Sequence, residues 1–122
     1  MFFKFVKLVI MKIMIEKVLL RGIGVSSGIA KGKVKIILTS KDARKFNKGD
    51  ILVASTVSPF FSLTILKASA IITEVGGSLS HPAIFSRELG IPCITGALNA
   101  TKVLKDNQEI IVDANKGIIY EV

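Results

Sequence analysis

The residues best able to do chemistry lie together between Thr73 and Arg87: Thr-Glu-Val-Gly-Gly-Ser-Leu-Ser-His-Pro-Ala-Ile-Phe-Ser-Arg. His81 is the chain's one histidine, and histidine is the side chain whose ordinary titration falls near neutral pH. Ahead of it stands Gly76-Gly77, which lets backbone amides approach a ligand closely and take positive φ. Behind it Pro82 suits the first turn of a helix. A helix N-terminus offers unpaired N–H groups and a partial positive charge, which together make an anion site. That potential favours the neutral imidazole, a nucleophile, and then favours a dianionic phosphoryl group once it has arrived. Attack of the ring on phosphorus gives a phosphoramidate that can be passed on. The hydroxyls of Ser78 and Ser80 are of the right kind to donate to phosphoryl oxygens.

The plain alternative is a helix-start or surface histidine, because strand–Gly–Gly–helix turns are common, and spacing alone leaves both readings open. No Lys-Ser/Thr pair follows the glycines, so the segment is not a P-loop. The third glycine of a dinucleotide fingerprint is missing as well. Gly22-Ile-Gly24 and Gly28…Gly32 are too loosely spaced to count. Glu74 could orient the imidazole, although an edge role suits it better. Arg87, six residues past His81, reads as an ion pair or a helix-surface charge, with docking to a phosphate-bearing partner as the lesser alternative. Cys93, inside an apolar strand, reads as a small buried hydrophobe. Asp113 and Asn115 fit turn chemistry.

Elements that could position such a loop follow from the pattern around it. Val18–Val25 reads as one strand, and Ile29–Leu38 as a half-buried strand with Lys31, Lys33 and Lys35 on its wet face. Lys41–Asp50 is a loop or short helix, and Ile51–Ala54 a short apolar strand. Ser58-Pro59 opens a helix to about Lys67. Ala68–Val75 is a strand apolar enough to be buried on both faces. His81-Pro82 starts a second helix that Gly90 stops. Ile91–Thr95 is a strand, Ala97–Lys105 a short helix or turn, and Glu109–Val112 and Gly117–Glu121 two strands joined by a turn. Strands at both ends with strand–helix units between them predict a mixed α/β domain.

Composition narrows the classes. The 122 residues are half hydrophobic with 21% charged, enough for a single domain with its own core and too apolar for disorder. One cysteine and one histidine exclude an internal disulfide, a His₂ or His₃ metal site and a Cys₂ cluster, and no metal is expected in this chain. The net charge of +8 is uneven: residues 1–50 hold twelve Lys/Arg against three Asp/Glu, and the remainder five against six. A lysine-rich solvated surface accounts for this. The sharper reading is a face for an acidic partner; an aromatic platform for nucleic acid is lacking, and no nucleic-acid partner is expected. Residues 1–17 are apolar but broken by Lys4, Lys7, Lys12, Glu16 and Lys17. Neither a membrane span nor a signal peptide fits. The segment is expected as an N-terminal extension, a strand or partly ordered, with Met11 and Met14 as alternative starts and the cytoplasm as the location.

The central motif resembles a known signature. Gly76-Gly77-x-x-Ser80-His81-x-Ala83-Ile84-x-x-Arg87-Glu88-Leu89-Gly90-Ile91-Pro92-x-x-x-Gly96 is similar to that of the phosphohistidine, or mobile, domain of phosphoenolpyruvate-utilising enzymes. That family includes pyruvate phosphate dikinase, phosphoenolpyruvate synthase and phosphotransferase enzyme I. The resemblance runs upstream through Gly22-x-Gly24-x-Ser26-x-Gly28-x-Ala30-x-Gly32-x-Val34 and Gly49-Asp50-Ile51-Leu52-Val53, and downstream through Asn99-Ala100-Thr101 and Val112-Asp113…Gly117. It covers residues 18–122. It implies a swivelling β/β/α domain whose histidine, at the position of His81, carries a phosphoryl group between an ATP-grasp domain and a (β/α)₈ barrel that binds phosphoenolpyruvate and Mg²⁺. Gly76, Gly77, Ser78 and Ser80 would hold the group. ATP or phosphoenolpyruvate and Mg²⁺ are expected on partner subunits, with no cofactor in this chain and no membrane partner. Two departures stand out: Leu79 replaces a threonine found in several members, and Pro82 a small residue. The alternative function is a non-catalytic docking or regulatory module of the same fold.

Overall fold

Strands buried on both faces need unbroken apolar runs, and the chain supplies two, Ile51–Ala54 (β4) and Ala70–Thr73 (β5), with every residue of both runs buried. In the computed structural model, which describes residues 2–58 and 61–122, these strands form the middle of a parallel array. β4 lies beside the C-terminal half of Ile29–Ile36 (β3), with Val34 opposite Ile51. β5 lies beside β4, with Ile51 opposite Ala70, and Cys93–Thr95 (β6) lies beside β5. On the far side of β3 come Glu109–Asp113 (β7), Ile118–Glu121 (β8) and Val18–Arg21 (β1), all antiparallel. Ile23–Ser26 (β2) pairs antiparallel with β6. The order is β1-β8-β7-β3-β4-β5-β6-β2.

Residues of the parallel strands alternate between two cores, as their period of two requires. Ile51, Val53, Ala70, Ile72 and Ile94 face inward and pack with Ile110, Val112 and Ile119 of the antiparallel half. Leu52, Ala54, Ile71 and Cys93 face outward and pack with Ile65, Ala68 and Ala83. The second core belongs to the helices Ser62–Lys67 (α2) and His81–Leu89 (α3). Ala100–Val103 (α4) caps the first core through Ala100. The layers are therefore β/β/α, the α/β class expected. Burying each large aliphatic side chain contributes about 2 kcal/mol.

Two expectations fail. Val18–Val25 is not one strand: Gly22 divides it, and β1 and β2 lie at opposite ends of the strand order. The order thus closes on itself at Gly22, whose N–H donates to Gly117 O at 2.9 Å. Backbones cross there with no room for side chains. A Cβ on Gly22 would lie 2.6 Å from Thr95 O, one on Gly24 would overlap Ala114 O, and one on Gly117 would overlap Gly22 O. The Gly22-x-Gly24 pair is packing chemistry rather than ligand chemistry. The expected N-terminal extension is also not a strand over its described residues: Phe2–Glu16 form the helix α1. A helix satisfies its own backbone hydrogen bonds, whereas a strand needs an edge to pair with. The helix ending near Lys67 begins at Ser62; Pro59 lies outside the described residues. The β3 lysines behave as the alternation predicts, with Lys31 and Lys33 exposed on either side of Gly32.

Closure by bare backbone predicts that Gly24→Ala destabilises the domain by about 3 kcal/mol, because overlap with a carbonyl cannot be relieved by a side-chain shift. Urea unfolding measures it, and an unchanged midpoint would contradict the crossing.

Candidate functional site

The C-terminal ends of β4, β5 and β6 carry three connections that meet at one end of the parallel array. In open α/β sheets that is where ligands bind. The β5 connection is held to its neighbours by backbone bonds: Glu74 N–H donates to Ala54 O, Val75 N–H to Ser55 O, and Ala97 N–H to Thr73 O. The Thr73 hydroxyl donates to Val75 O and tightens the exit from the strand. Gly76 then takes φ 133°, a value that favours glycine. A Cβ there would stand 3.0 Å from Ser80 Oγ, whereas one on Gly77 would meet nothing within 4 Å. The two glycines therefore do different work: Gly76 turns the chain and Gly77 leaves open space.

The loop is closed from within by Ser80. Its N–H and its hydroxyl both donate to Gly77 O, at 3.0 and 2.7 Å. Ser80 is also the N-cap of α3, with extended backbone and no side-chain cap bond. Its hydroxyl, expected to serve a phosphoryl group, is committed to the loop in this conformation. Ser78 is exposed, and its carbonyl accepts from Arg87 Nη2 at 2.5 Å.

His81 is the first residue of α3 and is half-buried. Its Nε2 atom is buried and has no hydrogen-bond partner. The ring stands edge-on to Phe85, with centroids 4.4 Å apart and planes at 80°. Phe85 is one helical turn on, so the i,i+4 spacing was a usable signal. Pro82 removes one N–H from the first turn, so the donors left at the start of α3 are those of His81 and Ala83. At the other end, Gly90 takes the left-handed conformation that stops the helix, as its position suggested.

Other candidates fall outside the site or support it from behind. Glu74 does not orient the imidazole. Its carboxylate accepts from Thr101 N–H at 3.1 Å and from the Thr101 hydroxyl at 3.0 Å, tying the β5 exit to α4. Arg87 makes no ion pair among the described residues but donates to two carbonyls, Ser78 O and Val25 O. Asp113 and Asn115 are turn residues, as expected: Asn115 and Lys116 N–H donate to the Asp113 carboxylate, and Asn115 Oδ1 accepts from Gly28 N–H. Thr95, which sequence reasoning missed, is fully buried with an unpartnered hydroxyl, and its methyl lies 3.6 Å from where a Gly76 Cβ would be. Among the described residues no group of three His, Cys, Asp or Glu side chains gathers to hold a metal.

Fold and site together describe an α/β domain that presents a histidine at a helix start behind a glycine loop. The profile of the mobile domain of PEP-utilising enzymes matches residues 46–117. The chain belongs to that family, the mobile domain of phosphoenolpyruvate-utilising enzymes. It is 50% identical over 105 residues to a probable phosphoenolpyruvate synthase of Archaeoglobus fulgidus, covering 86% of this chain and 14% of that protein. With the phosphoenolpyruvate synthase of Pyrococcus furiosus it shares 43% identity, covering 86% of this chain and 13% of that protein. It thus spans about a seventh of these relatives' length. A solution structure of Enzyme I superposes at TM-score 0.55 with 30% identity, over 63% of this chain and 32% of that one. Aconitase X of Thermococcus kodakaraensis superposes at TM-score 0.63 with 22% identity, over 84% of this chain and 97% of that one, a likeness of fold alone. Among the described residues no helix is long and apolar enough to cross a membrane.

Two outcomes test this construction. Gly76→Ala should destabilise by about 1–2 kcal/mol, because φ 133° is strained for alanine, while Gly77→Ala should be close to neutral in the same thermal melt. Cys93 is fully buried, and burial pushes its thiol up to about 11. At pH 8 about one thiol in a thousand is then ionised, so a thiol reagent should label native protein slowly and unfolded protein fast. Rapid native labelling would place Cys93 elsewhere.

Proposed function

We propose that the chain is a phosphoryl carrier in which His81 is the nucleophile. The observation that carries this reading is the position of His81: a ring with an unpartnered nitrogen, at a helix start, behind a loop opened by Gly76 and Gly77. A ring nitrogen attacks phosphorus; the P–N bond forms as the P–O bond to the donor breaks, and the ring proton leaves to solvent. Delivery is the reverse: an acceptor oxygen attacks, the P–N bond breaks, and the nitrogen regains a proton. Amides of the loop ahead of Ser80 and of the start of α3 stabilise the phosphoryl oxygens, because donors fixed before reaction cost no reorganisation. Since Nε2 is buried in this conformation, the loop must yield or the ring must turn before that atom meets a donor.

No step here runs through a metal held by this chain, since among the described residues no group of three His, Cys, Asp or Glu side chains comes together. Mg²⁺, ATP and phosphoenolpyruvate are assigned to partners: an ATP-grasp domain and a phosphoenolpyruvate-binding barrel, as separate subunits. The small share of the relatives' length that matches supports placing those functions outside the matched segment. The relatives' names support phosphoenolpyruvate synthesis as the setting.

Radiolabelled phosphoenolpyruvate or ATP, incubated with the chain and partner subunits, should leave acid-labile, alkali-stable phosphate on this chain. His81→Ala should abolish the label while leaving the melting temperature nearly unchanged. Full label on His81→Ala would place the phosphoryl group on another residue and end the reading.

A further inference from the structure

Arg87 joins two parts of the molecule far apart in the chain. Nη2 donates to Ser78 O at 2.5 Å and Nη1 to Val25 O at 3.3 Å. Val25 is a buried residue of β2, itself paired with β6. The exposed histidine loop is thereby anchored to the sheet through one guanidinium, and hydrogen bonds from a cation are the strong kind. A peptide group is planar and trans. With Ser78 O drawn to Arg87, the N–H of Leu79 must point to the opposite side of that peptide, away from Arg87. Arg87 itself lies roughly 120° round the helix axis from His81.

We propose that Arg87 is a positioning residue for the phosphorylated state: by holding Ser78 O it aims the Leu79 N–H at the phosphoryl group on His81. This rests on the carrier reading. It also gives position 79 a role that does not need a hydroxyl. The Leu79 side chain is 85% exposed, and its contribution to the site is the backbone amide. Lysine substitutes only in part, because one ammonium on a flexible stem does not span two carbonyls as a planar fork does.

The test needs no partner protein. Phosphoramidate is the donor: a histidine nitrogen attacks its phosphorus, the P–N bond to the donor nitrogen breaks, and ammonia leaves with the ring proton. Phosphorylation of the chain is followed by phosphorus NMR, and the backbone amides by proton–nitrogen spectra, in wild type, Arg87→Met, Arg87→Lys and His81→Ala. In wild type the Leu79 amide proton should move downfield on phosphorylation. In Arg87→Met that movement should be lost and phosphorylation slowed about tenfold, the value of one well-placed hydrogen bond. Arg87→Lys should fall between and serves if Arg87→Met does not fold. An equal Leu79 shift and an equal rate in a folded Arg87 variant would overturn the positioning role and leave the carrier intact. Wild type that takes up no more phosphate than His81→Ala would overturn both.

Discussion

Where the chain passes from β1 to β2 it crosses the β7–β8 turn with no side chain between the two backbones. Gly22, Gly24 and Gly117 make this possible, since a Cβ at any of them would meet backbone oxygen. The crossing brings together the two ends of the strand order and encloses the inner core of Val34, Ile51, Val53, Ile72, Ile94 and Ile110. It also places β2 beside β6, which is how Val25 comes to stand where Arg87 can reach it. The anchoring of the histidine loop is in this sense a consequence of a backbone crossing made by residues that never touch the loop.

The loop combines ties to the sheet with a half-buried histidine at a helix start. Its start, at the exit from β5, is tied to the neighbouring chain by backbone bonds: Glu74 N–H to Ala54 O, Val75 N–H to Ser55 O, and Ala97 N–H to Thr73 O. Its middle is held by carbonyl acceptors: Gly77 O takes two bonds from Ser80, and Ser78 O takes one from Arg87. With these carbonyls occupied, the amides between them face the other way, since each peptide is planar. An anion-binding surface can thus be built from backbone alone.

Charge and chemistry occupy different parts of the chain. The excess of lysine and arginine belongs to residues 1–50, whereas His81 and the loop lie in the nearly neutral remainder. Lys31 and Lys33 sit on the wet face of β3, where alternation alone explains them. Other charged groups spend themselves on structure: Lys45 pairs with Asp106 at 2.7 Å, joining the segment after β3 to the turn before β7. Glu74 accepts from the Thr101 N–H and hydroxyl and Arg87 donates to two backbone carbonyls, so both serve to hold the loop in shape.

By itself the sequence determined what depends on neighbours along the chain. The helix from His81 to Gly90, its proline near the start, the doubly buried β5 and the mixed α/β class were all legible, because period, caps and turn residues act within a few positions. So was His81 as the candidate nucleophile, from residue type and junction. Tertiary structure alone decided the split of Val18–Val25 at Gly22, the pairing of β1 and β2 with opposite ends of the sheet, and the partners of Arg87 and Glu74. Each of these turns on which distant backbone group comes within hydrogen-bond reach: Arg87 meets a carbonyl 62 positions away and Glu74 an amide 27 positions away. A bond of that kind leaves no periodicity in the sequence, because its geometry exists only once the sheet has closed.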